Sequence, residues 1–239
     1  MAHPDADLWA ALARQLGAQP DLDTLWERVL HASLTHVDGA EHAGITLLSH
    51  KAVSTPAATS DLVHQVDTQQ YLIGEGPCLS ASLQSEPIVH VGDLPTDPRW
   101  PHFARAVTDL GIRSMLSYQL YTNPNPNART NSGVIGALNI YATNRHAFTG
   151  ESVHAGQLLA THAAIAAATA ITNASLLTAL HSRDVIGQAK GILMERYKIT
   201  PDQAFDVLIR ASNISNRKLR DIAADLTATG ELPSITPRR

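Results

Sequence analysis

Three stretches within residues 183–226 repeat apolar side chains with the 3.6-residue period of a helix, so the sequence predicts three short helices there. In the first stretch, the apolar side is formed by Val185, Ile186, Ala189, Ile192 and Leu193. On the other side, a stripe about 80° wide at 100° per residue carries Arg183, Gly187, Lys190, Met194 and Tyr197. Small residues beside cations allow a phosphate backbone or an unstacked base to approach, and an aromatic ring offers a stacking surface. A solvated face with scattered lysines is the simpler explanation of any single stripe of this kind.

The second stretch has a well-marked beginning. Thr200 can cap the free N–H groups, Pro201 suits the first turn, and Gln203 can complete a capping box. The helix is predicted to end near Ser212, and its predicted inner face consists of Ala204, Phe205, Leu208 and Ala211.

The third stretch is predicted to begin after Ser215, which can act as its cap. Its inner face consists of Leu219, Ile222, Ala223 and Leu226. Its first turns are expected to carry Asn216, Arg217, Lys218 and Arg220, where the helix dipole and the free N–H groups favour phosphate. This spacing leaves RNA, DNA and an acidic protein partner open.

A resemblance to the ANTAR domain is carried by these three predicted helices. Residues 186–196 read IGQAKGILMER, residues 200–208 read TPDQAFDVL, and residues 216–223 read NRKLRDIA. Members of this family are three-helix RNA-binding modules of bacterial transcription antiterminators, and they recognise paired hairpin loops in leader transcripts. The resemblance implies RNA-facing positions at Lys190, Arg196, Ser212, Asn216, Arg217 and Lys218.

The helical wheel supports Lys190 independently, but it places Arg196 near the apolar side. An RNA contact and a role in bracing helix packing are therefore both open for Arg196. With the remaining members of the stripe and of the third helix, the predicted RNA-binding set is Arg183, Lys190, Met194, Arg196, Tyr197, Ser212, Asn216, Arg217, Lys218 and Arg220.

Before residue 150 the pattern changes to a mixture of strands and helices. Apolar runs predict strands at 43–48, 87–91, 114–121 and 134–141, and helical periodicity predicts helices at 5–16, 21–37, within 60–71 and at 100–110. Residues 74–78 are expected to form a turn, and the Asn- and Pro-rich residues 122–132 a polar loop between antiparallel strands. The predicted fold class is α+β, with a mostly antiparallel sheet covered by helices.

The same region resembles a GAF sensor domain of the kind found upstream of ANTAR modules in actinobacterial regulators. The resemblance is carried by IGEGPC at 73–78, SMLS at 114–117 and GALNIY at 136–141, with Phe148 before the last helix. GAF domains commonly hold a small ligand between the sheet and its covering loops, which implies a small-molecule input without naming it. Cys78 could attach a chromophore, but a lone cysteine in such a turn is more often a small buried hydrophobe.

Residues 151–180 contain no proline and many alanines, and their helical pattern continues into the first C-terminal helix. One uninterrupted helix would be about 70 Å long at 1.5 Å per residue. Heptad spacing gives a first seam of Leu158, His162, Ile165, Thr169, Thr172, Leu176 and Ala179, and a second of Leu159, Ala163, Ala166, Ala170, Asn173, Leu177 and Leu180. The seams predict a homodimeric coiled coil through Leu158, Ile165, Leu176, Leu177 and Leu180, whereas packing on the GAF sheet would explain residues 151–165 alone.

The charge is divided unevenly. Residues 1–180 carry 8 Lys or Arg and 15 Asp or Glu, a net charge of −7, whereas residues 181–239 carry 10 and 7, a net charge of +3. Affinity for nucleic acid therefore belongs to the C-terminal part. No uninterrupted apolar run approaches the ~20 residues that span a bilayer, and the first four residues lack signal-peptide features, so a cytoplasmic protein without membrane contact is expected.

No catalytic or metal-binding pattern is evident. The histidines lack the close spacing of metal ligands, GEGP at 74–77 lacks the Lys and Ser or Thr of a phosphate-binding loop, and no nucleophile–base or paired-carboxylate arrangement stands out. We therefore expect neither enzyme activity nor a cofactor or metal.

The expected organisation is an N-terminal helix (1–20), a GAF domain (21–150), a helical dimer connector (151–182), an ANTAR domain (183–232) and a flexible tail (233–239). The expected function is RNA-binding control of transcription antitermination at hairpins in leader transcripts, with the GAF domain as signal input. Two other classes are open: a DNA-binding helix-turn-helix factor, and a ligand sensor that acts through an acidic protein partner.

Overall fold

The structure, a computed structural model, describes residues 4–49, 52–83, 86–121 and 133–232. The chain divides into two compact units, Met1–Ile171 and Thr172–Arg239. The loop predicted at 122–132 and the tail predicted at 233–239 lie outside the described residues.

The first unit begins with two helices, α1 (Pro4–Gly17) and α2 (Leu22–His36), as the periodicity predicted. Asp21 caps α2, because its Oδ1 accepts a hydrogen bond from the Thr24 N–H at 2.8 Å. The inner sides of these helices are buried, with Leu12, Leu16 and Trp26 in the core.

A five-stranded antiparallel sheet forms the centre of the unit. Its strands are β1 (His42–Leu48), β2 (Val53–Ala58), β3 (Ile88–Val91), β4 (Ser114–Tyr121) and β5 (Val134–Ala142), in the order β2-β1-β5-β4-β3. The four predicted strands are confirmed, as is the antiparallel pairing of β4 with β5. Sequence reasoning missed β2, a half-exposed edge strand of small and polar residues whose Pro56 is tolerated because an edge strand leaves one row of N–H groups unpaired.

Two apolar cores cover the two faces of the sheet. Alternation along β4 sends Leu116 and Tyr118 into the core shared with α1 and α2, and sends Met115 into the opposite core. The second core lies beneath α3 (Asp61–Ile73), α4 (Pro77–Leu83) and α5 (Pro101–Val107). The turn predicted at 74–78 is shorter in the structure. Gly74 ends α3 at φ 76°, and α4 already begins at Pro77, since proline suits the first turn of a helix.

The helix α6 (Gly150–Tyr197) is uninterrupted over 48 residues. Its first part packs on the sheet, where a Cβ at Gly156 would lie 2.4 Å from the Tyr118 hydroxyl, so a glycine is needed for this close approach. Leu159 and Ala163 are fully buried there. The beginning of the second predicted seam is therefore used within the first unit and is not available to a second copy.

The later seam residues are exposed in the single chain. Ile165 is 60% exposed, and Leu176, Leu177 and Leu180 are 57%, 67% and 59% exposed, whereas Leu158 is half-buried.

One stretch of α6 is more apolar than the sequence reading allowed. An 18-residue window of this helix is strongly apolar, and 22% of it is buried. By length and composition alone this window passes the test for a membrane-crossing helix, a test that single helices of soluble proteins also pass. The count of uninterrupted apolar residues missed it because Thr, His, Asn and Ser interrupt the alanines and leucines.

The second unit contains the end of α6 with α7 (Pro201–Ser215) and α8 (Leu219–Thr229). The predicted capping box is confirmed: the Gln203 N–H donates to Thr200 Oγ1 at 3.3 Å, and the Thr200 N–H donates to Gln203 Oε1 at 2.9 Å. The core is entirely aliphatic and consists of Ala189, Leu193, Ala204, Leu208, Ala211, Ile222, Ala223 and Leu226.

Three details of this unit differ from the prediction. The helix α7 continues to Ser215, three residues beyond the predicted end at Ser212. Asn216 is its C-cap at φ 50°, and Lys218 is the N-cap of α8, so residues 216–218 connect the helices and do not form the first turn of α8. Phe205 was assigned to the inner face, but it is 36% exposed and does not join the core.

Candidate nucleic-acid interface

The predicted stripe on α6 presents polar and aromatic side chains outside the helix core. Arg183 and Tyr197 are exposed, and Lys190 is half-buried with its Nζ 5.7 Å from the centre of the Phe205 ring. Met194 is half-buried and packs against the aliphatic core, so it contributes less surface than the wheel suggested. The stripe therefore offers two cations and an exposed ring.

The connector between α7 and α8 is held by reciprocal hydrogen bonds. The Ser212 hydroxyl donates to the Arg217 carbonyl at 2.5 Å, and the Arg217 N–H donates to the Ser212 carbonyl at 3.2 Å. Asn216 occupies the left-handed conformation that asparagine tolerates better than most residues. Ser212 thus shapes the connector from which Lys218 projects.

Ion pairs separate the cations into two groups. Arg217 Nη1 lies 2.6 Å from Asp225 Oδ2, and Arg220 Nε lies 3.4 Å from Asp221 Oδ1. In the part of the chain that the structure describes, no ion pair involves Arg183, Lys190, Arg210 or Lys218. The unpaired cations can approach phosphate without first losing a carboxylate partner.

The guanidinium group of Arg196 lies near the end of α8. A Cβ built on Gly230 would lie 3.6 Å from Arg196 Nη2. Gly230 is the C-cap of α8, where carbonyl groups and the helix dipole favour a cation. Arg196 is itself exposed, so the RNA contact and the packing role that the sequence left open both stay open.

Two side chains of α7 were missed as candidates. Arg210 is exposed and was not assigned any role. Phe205 was placed in the core, although at 100° per residue it lies about 100° from Ala204 on the wheel. That angle was the available signal that the ring lies on the flank of the helix.

A second candidate region lies inside the first unit, where Asp67 is buried and forms no ion pair with another described residue. Its carboxylate accepts hydrogen bonds from the Thr55 hydroxyl at 2.7 Å, the Gln70 amide at 3.0 Å and the Tyr141 hydroxyl. Burial, the largest cause, raises the pKa of Asp67 above its ordinary 3.8, while these donors and the charge of His64 oppose the shift. Sequence reasoning missed this acid because α3 alone gives no sign of its burial.

Polar contacts continue from Asp67 across the sheet. The Tyr71 hydroxyl lies 2.7 Å from Thr55 Oγ1 and 2.9 Å from Thr46 Oγ1, and the Asn139 amide donates to Thr46 Oγ1 at 2.9 Å. Cys78 is fully buried, as expected of a small hydrophobe, and burial raises the pKa of its thiol. A buried thiol with a raised pKa is a poor nucleophile.

Three buried polar atoms on this side of the sheet have no hydrogen-bond partner among the described residues: Ser82 Oγ, Ser117 Oγ and Asn139 Oδ1. Ser117 and Asn139 are directly opposite each other on β4 and β5. Buried polar atoms in folded proteins are usually satisfied, so these three atoms are exceptions among the described residues. Within the same described residues, no three His, Cys, Asp or Glu side chains gather as metal ligands.

We expect Asp67→Asn to remove a pH-dependent loss of stability. Because the folded-state pKa of Asp67 is raised, the folded chain holds a proton that the unfolded chain releases. The free energy of unfolding of the wild type should therefore fall, relative to that of the variant, as pH rises from about 4 through the raised pKa. Asp67→Ala should instead cost about 1–3 kcal/mol for each buried donor left without an acceptor. Urea unfolding across this pH range measures both effects. Parallel pH profiles of wild type and Asp67→Asn would contradict the first.

Sequence comparison assigns a family to each unit. The sequence profile of the GAF domain matches residues 19–168, more than half of the chain, which therefore belongs to the GAF domain family. The profile of the ANTAR domain matches residues 174–226, so the chain combines a GAF domain with an ANTAR domain. GAF domains are signal sensors, ANTAR domains are RNA-binding antiterminator modules, and neither is a catalytic domain. No curated protein sequence matches the chain.

Solved structures agree on the fold. The GAF domain of a phosphoenolpyruvate-protein phosphotransferase from Coxiella burnetii is 17% identical with a TM-score of 0.53, and the match covers 71% of this chain and 96% of that domain. A bacteriophytochrome from the photosynthetic bacterium R. palustris is 11% identical with a TM-score of 0.58, and the match covers 89% of this chain and 47% of that one. At these identities the likeness shows the fold alone.

Proposed function

We propose that this protein is a cytoplasmic RNA-binding regulator of transcription antitermination, that residues 183–232 bind paired hairpin loops in leader transcripts, and that the GAF domain supplies the signal input. The observation that carries the proposal is the set of unpaired cations and exposed rings on the second unit, within a C-terminal sequence (residues 181–239) whose net charge is +3. Arg183, Lys190 and Lys218 are cations without an ion pair among the described residues, and Tyr197 and Phe205, the two aromatic residues of residues 172–239, both lie outside the core.

The outer side of α8 argues against the helix-turn-helix alternative. A recognition helix in a DNA major groove presents donors and cations to the bases and backbone. In α8 the exposed positions include Ala224 and Ala228, and its one cation, Arg220, is paired with Asp221. Asp225 adds a second acid, which is paired with Arg217 of the connector, so α8 by itself has a net charge of −1.

A homodimer through α6 is part of the proposal. Leu176, Leu177 and Leu180 follow heptad spacing and are more than half exposed in the single chain, which leaves a large apolar area to be covered. A second copy offers the same seam. Two RNA-binding units held together would match a pair of hairpin loops, because the second binding event becomes intramolecular.

A small molecule that binds the GAF domain is the proposed input. The unpartnered atoms of Ser82, Ser117 and Asn139 support a ligand with polar groups on the inner side of β4 and β5.

The proposal is tested by comparing hairpin RNA, single-stranded RNA and duplex DNA at one salt concentration. Tightest binding to a two-hairpin RNA is expected. Preference for duplex DNA would support the helix-turn-helix class, and failure to bind any nucleic acid would support a sensor that acts on a protein.

We expect Lys190→Ala and Lys218→Ala each to weaken hairpin binding and to lower the magnitude of the salt slope by about 1, because each removes one phosphate contact. Lys198→Ala is the matched control, since Lys198 is exposed but paired with Glu195. Binding isotherms at several salt concentrations measure the slope. Unchanged affinity and slope in both test variants, with wild-type circular dichroism, would exclude these residues from the interface.

A further inference from the structure

The second unit keeps its aromatic side chains out of its core. Residues 172–239 contain one tyrosine, Tyr197, and one phenylalanine, Phe205. Tyr197 is 56% exposed and Phe205 36% exposed, whereas the core is built from alanine, leucine and isoleucine alone. A small helical unit normally gains most from burying its rings, since each offers a large apolar area, so the placement of both rings outside the core points to a contact outside the unit.

Phe205 also lies beside a cation. The Nζ of Lys190 lies over the Phe205 ring, 5.7 Å from its centre, within the range of a cation–π contact. Met194 and Val207 are half-buried against the aliphatic core, whereas Phe205 is 36% exposed and is not one of the residues that form the core. The capping box of Thr200 and Gln203 begins α7 one turn earlier, so the backbone that carries the ring is held in place.

We propose that Phe205 is a base-stacking residue of the RNA interface, on which an unstacked base of the hairpin loop stacks while Lys190 binds the neighbouring phosphate. The inference rests on the proposed RNA-binding function. An aromatic ring stacks with the face of any base, and a cation beside it favours the phosphate that the base carries with it. The predicted RNA-binding set contained Lys190 and Tyr197 but not this ring.

The test uses the full chain and a hairpin RNA with 2-aminopurine at successive loop positions. Phe205→Leu keeps an apolar side chain but removes the π-face, and Phe205→Trp keeps a stacking ring. Ile214→Ala is the matched control: Ile214 is 54% exposed on the same helix, about 180° from Phe205 at 100° per residue.

We expect Phe205→Leu to weaken hairpin binding by about 5- to 100-fold, as loss of one stacked base does, and to leave the salt slope unchanged because no phosphate contact is lost. In Phe205→Leu, the fluorescence quenching of 2-aminopurine should disappear at the one loop position whose base stacks on the wild-type ring. Phe205→Trp should keep both affinity and quenching, and Ile214→Ala should resemble wild type. Lys190→Ala should lower the magnitude of the salt slope, whereas Phe205→Leu should not. A general loss of fold would affect both variants in the same way and would not produce this difference.

Three outcomes would overturn the inference in distinguishable ways. If wild type binds hairpin RNA and Phe205→Leu binds it equally, with the same quenching, Phe205 is not a stacking residue and the proposed function stands. If Phe205→Leu loses RNA binding only together with dimerisation in sedimentation runs, the ring belongs to a protein interface. If wild type binds no hairpin RNA, the proposed function fails and this inference fails with it.

Discussion

Replacing Leu176 and Leu177 together with Glu should convert a homodimer into monomers and weaken binding to a two-hairpin RNA by about 100-fold or more, while single-hairpin binding changes little. The two leucines are 57% and 67% exposed in the single chain. Burial of such a side chain stabilises association by about 1.5–3 kcal/mol, and a buried charge in its place strongly opposes it. Sedimentation with and without RNA, and titration of both RNAs, measure the two effects.

Leu72→Glu is the control for this experiment, because Leu72 is also a leucine on a helix surface, 76% exposed, but lies on α3. A wild-type protein that remains monomeric at micromolar concentration, both free and RNA-bound, would refute the dimer. Vesicle flotation adds a further arm, since α6 satisfies the length and composition of a membrane-crossing helix. Wild-type binding to vesicles that the double variant loses would assign the exposed leucines to lipid.

A fragment of residues 172–239 should bind a single hairpin within about tenfold of the full chain, a difference of roughly 1.4 kcal/mol, whereas residues 1–171 should show no measurable RNA binding. The second unit has its own aliphatic core, so its fold does not depend on the sheet. Residues 172–239 carry 10 Lys or Arg and 7 Asp or Glu, and residues 1–171 carry 8 and 15, so the phosphate backbone is attracted by the first set and repelled by the second.

Circular dichroism of both fragments is the control for folding. RNA binding by residues 1–171, together with no binding by a folded fragment of residues 172–239, would place the RNA site in the GAF domain. Binding by neither fragment, with binding by the full chain, would show that the two units act on RNA together.

The elements that sequence reasoning predicted well are those whose signals lie within a few residues. The capping box of Thr200 and Gln203 marks the start of α7, the aspartate before α2 marks its start, and apolar runs mark four of the five strands. The edge strand β2 and the short helix α4 were missed because neither carries a strong apolar pattern. The exposure of Phe205 was not predicted because its position lies on the flank between the apolar and polar sides of α7, where periodicity alone does not determine burial.

The structure differs from the prediction at residues whose surroundings depend on parts of the chain that are distant in sequence. Arg217 is eight positions from Asp225, and their ion pair depends on the path of the chain from the connector into α8. Asn216 and Lys218 lie outside the α8 helix because the left-handed residue at 216 ends α7. Leu159, a residue of the predicted dimer seam, is buried in the core of the GAF domain.

By itself, the sequence determined the long helix, the three-helix pattern after residue 183, the charge division and the two families, since periodicity, capping and composition act over a few residues at a time. Only the tertiary structure decided which cations are paired, which seam residues remain exposed, and that Asp67 is buried against Tyr141, 74 positions away. Burial and pairing depend on groups brought together by the whole fold, and a local pattern contains no information about those partners.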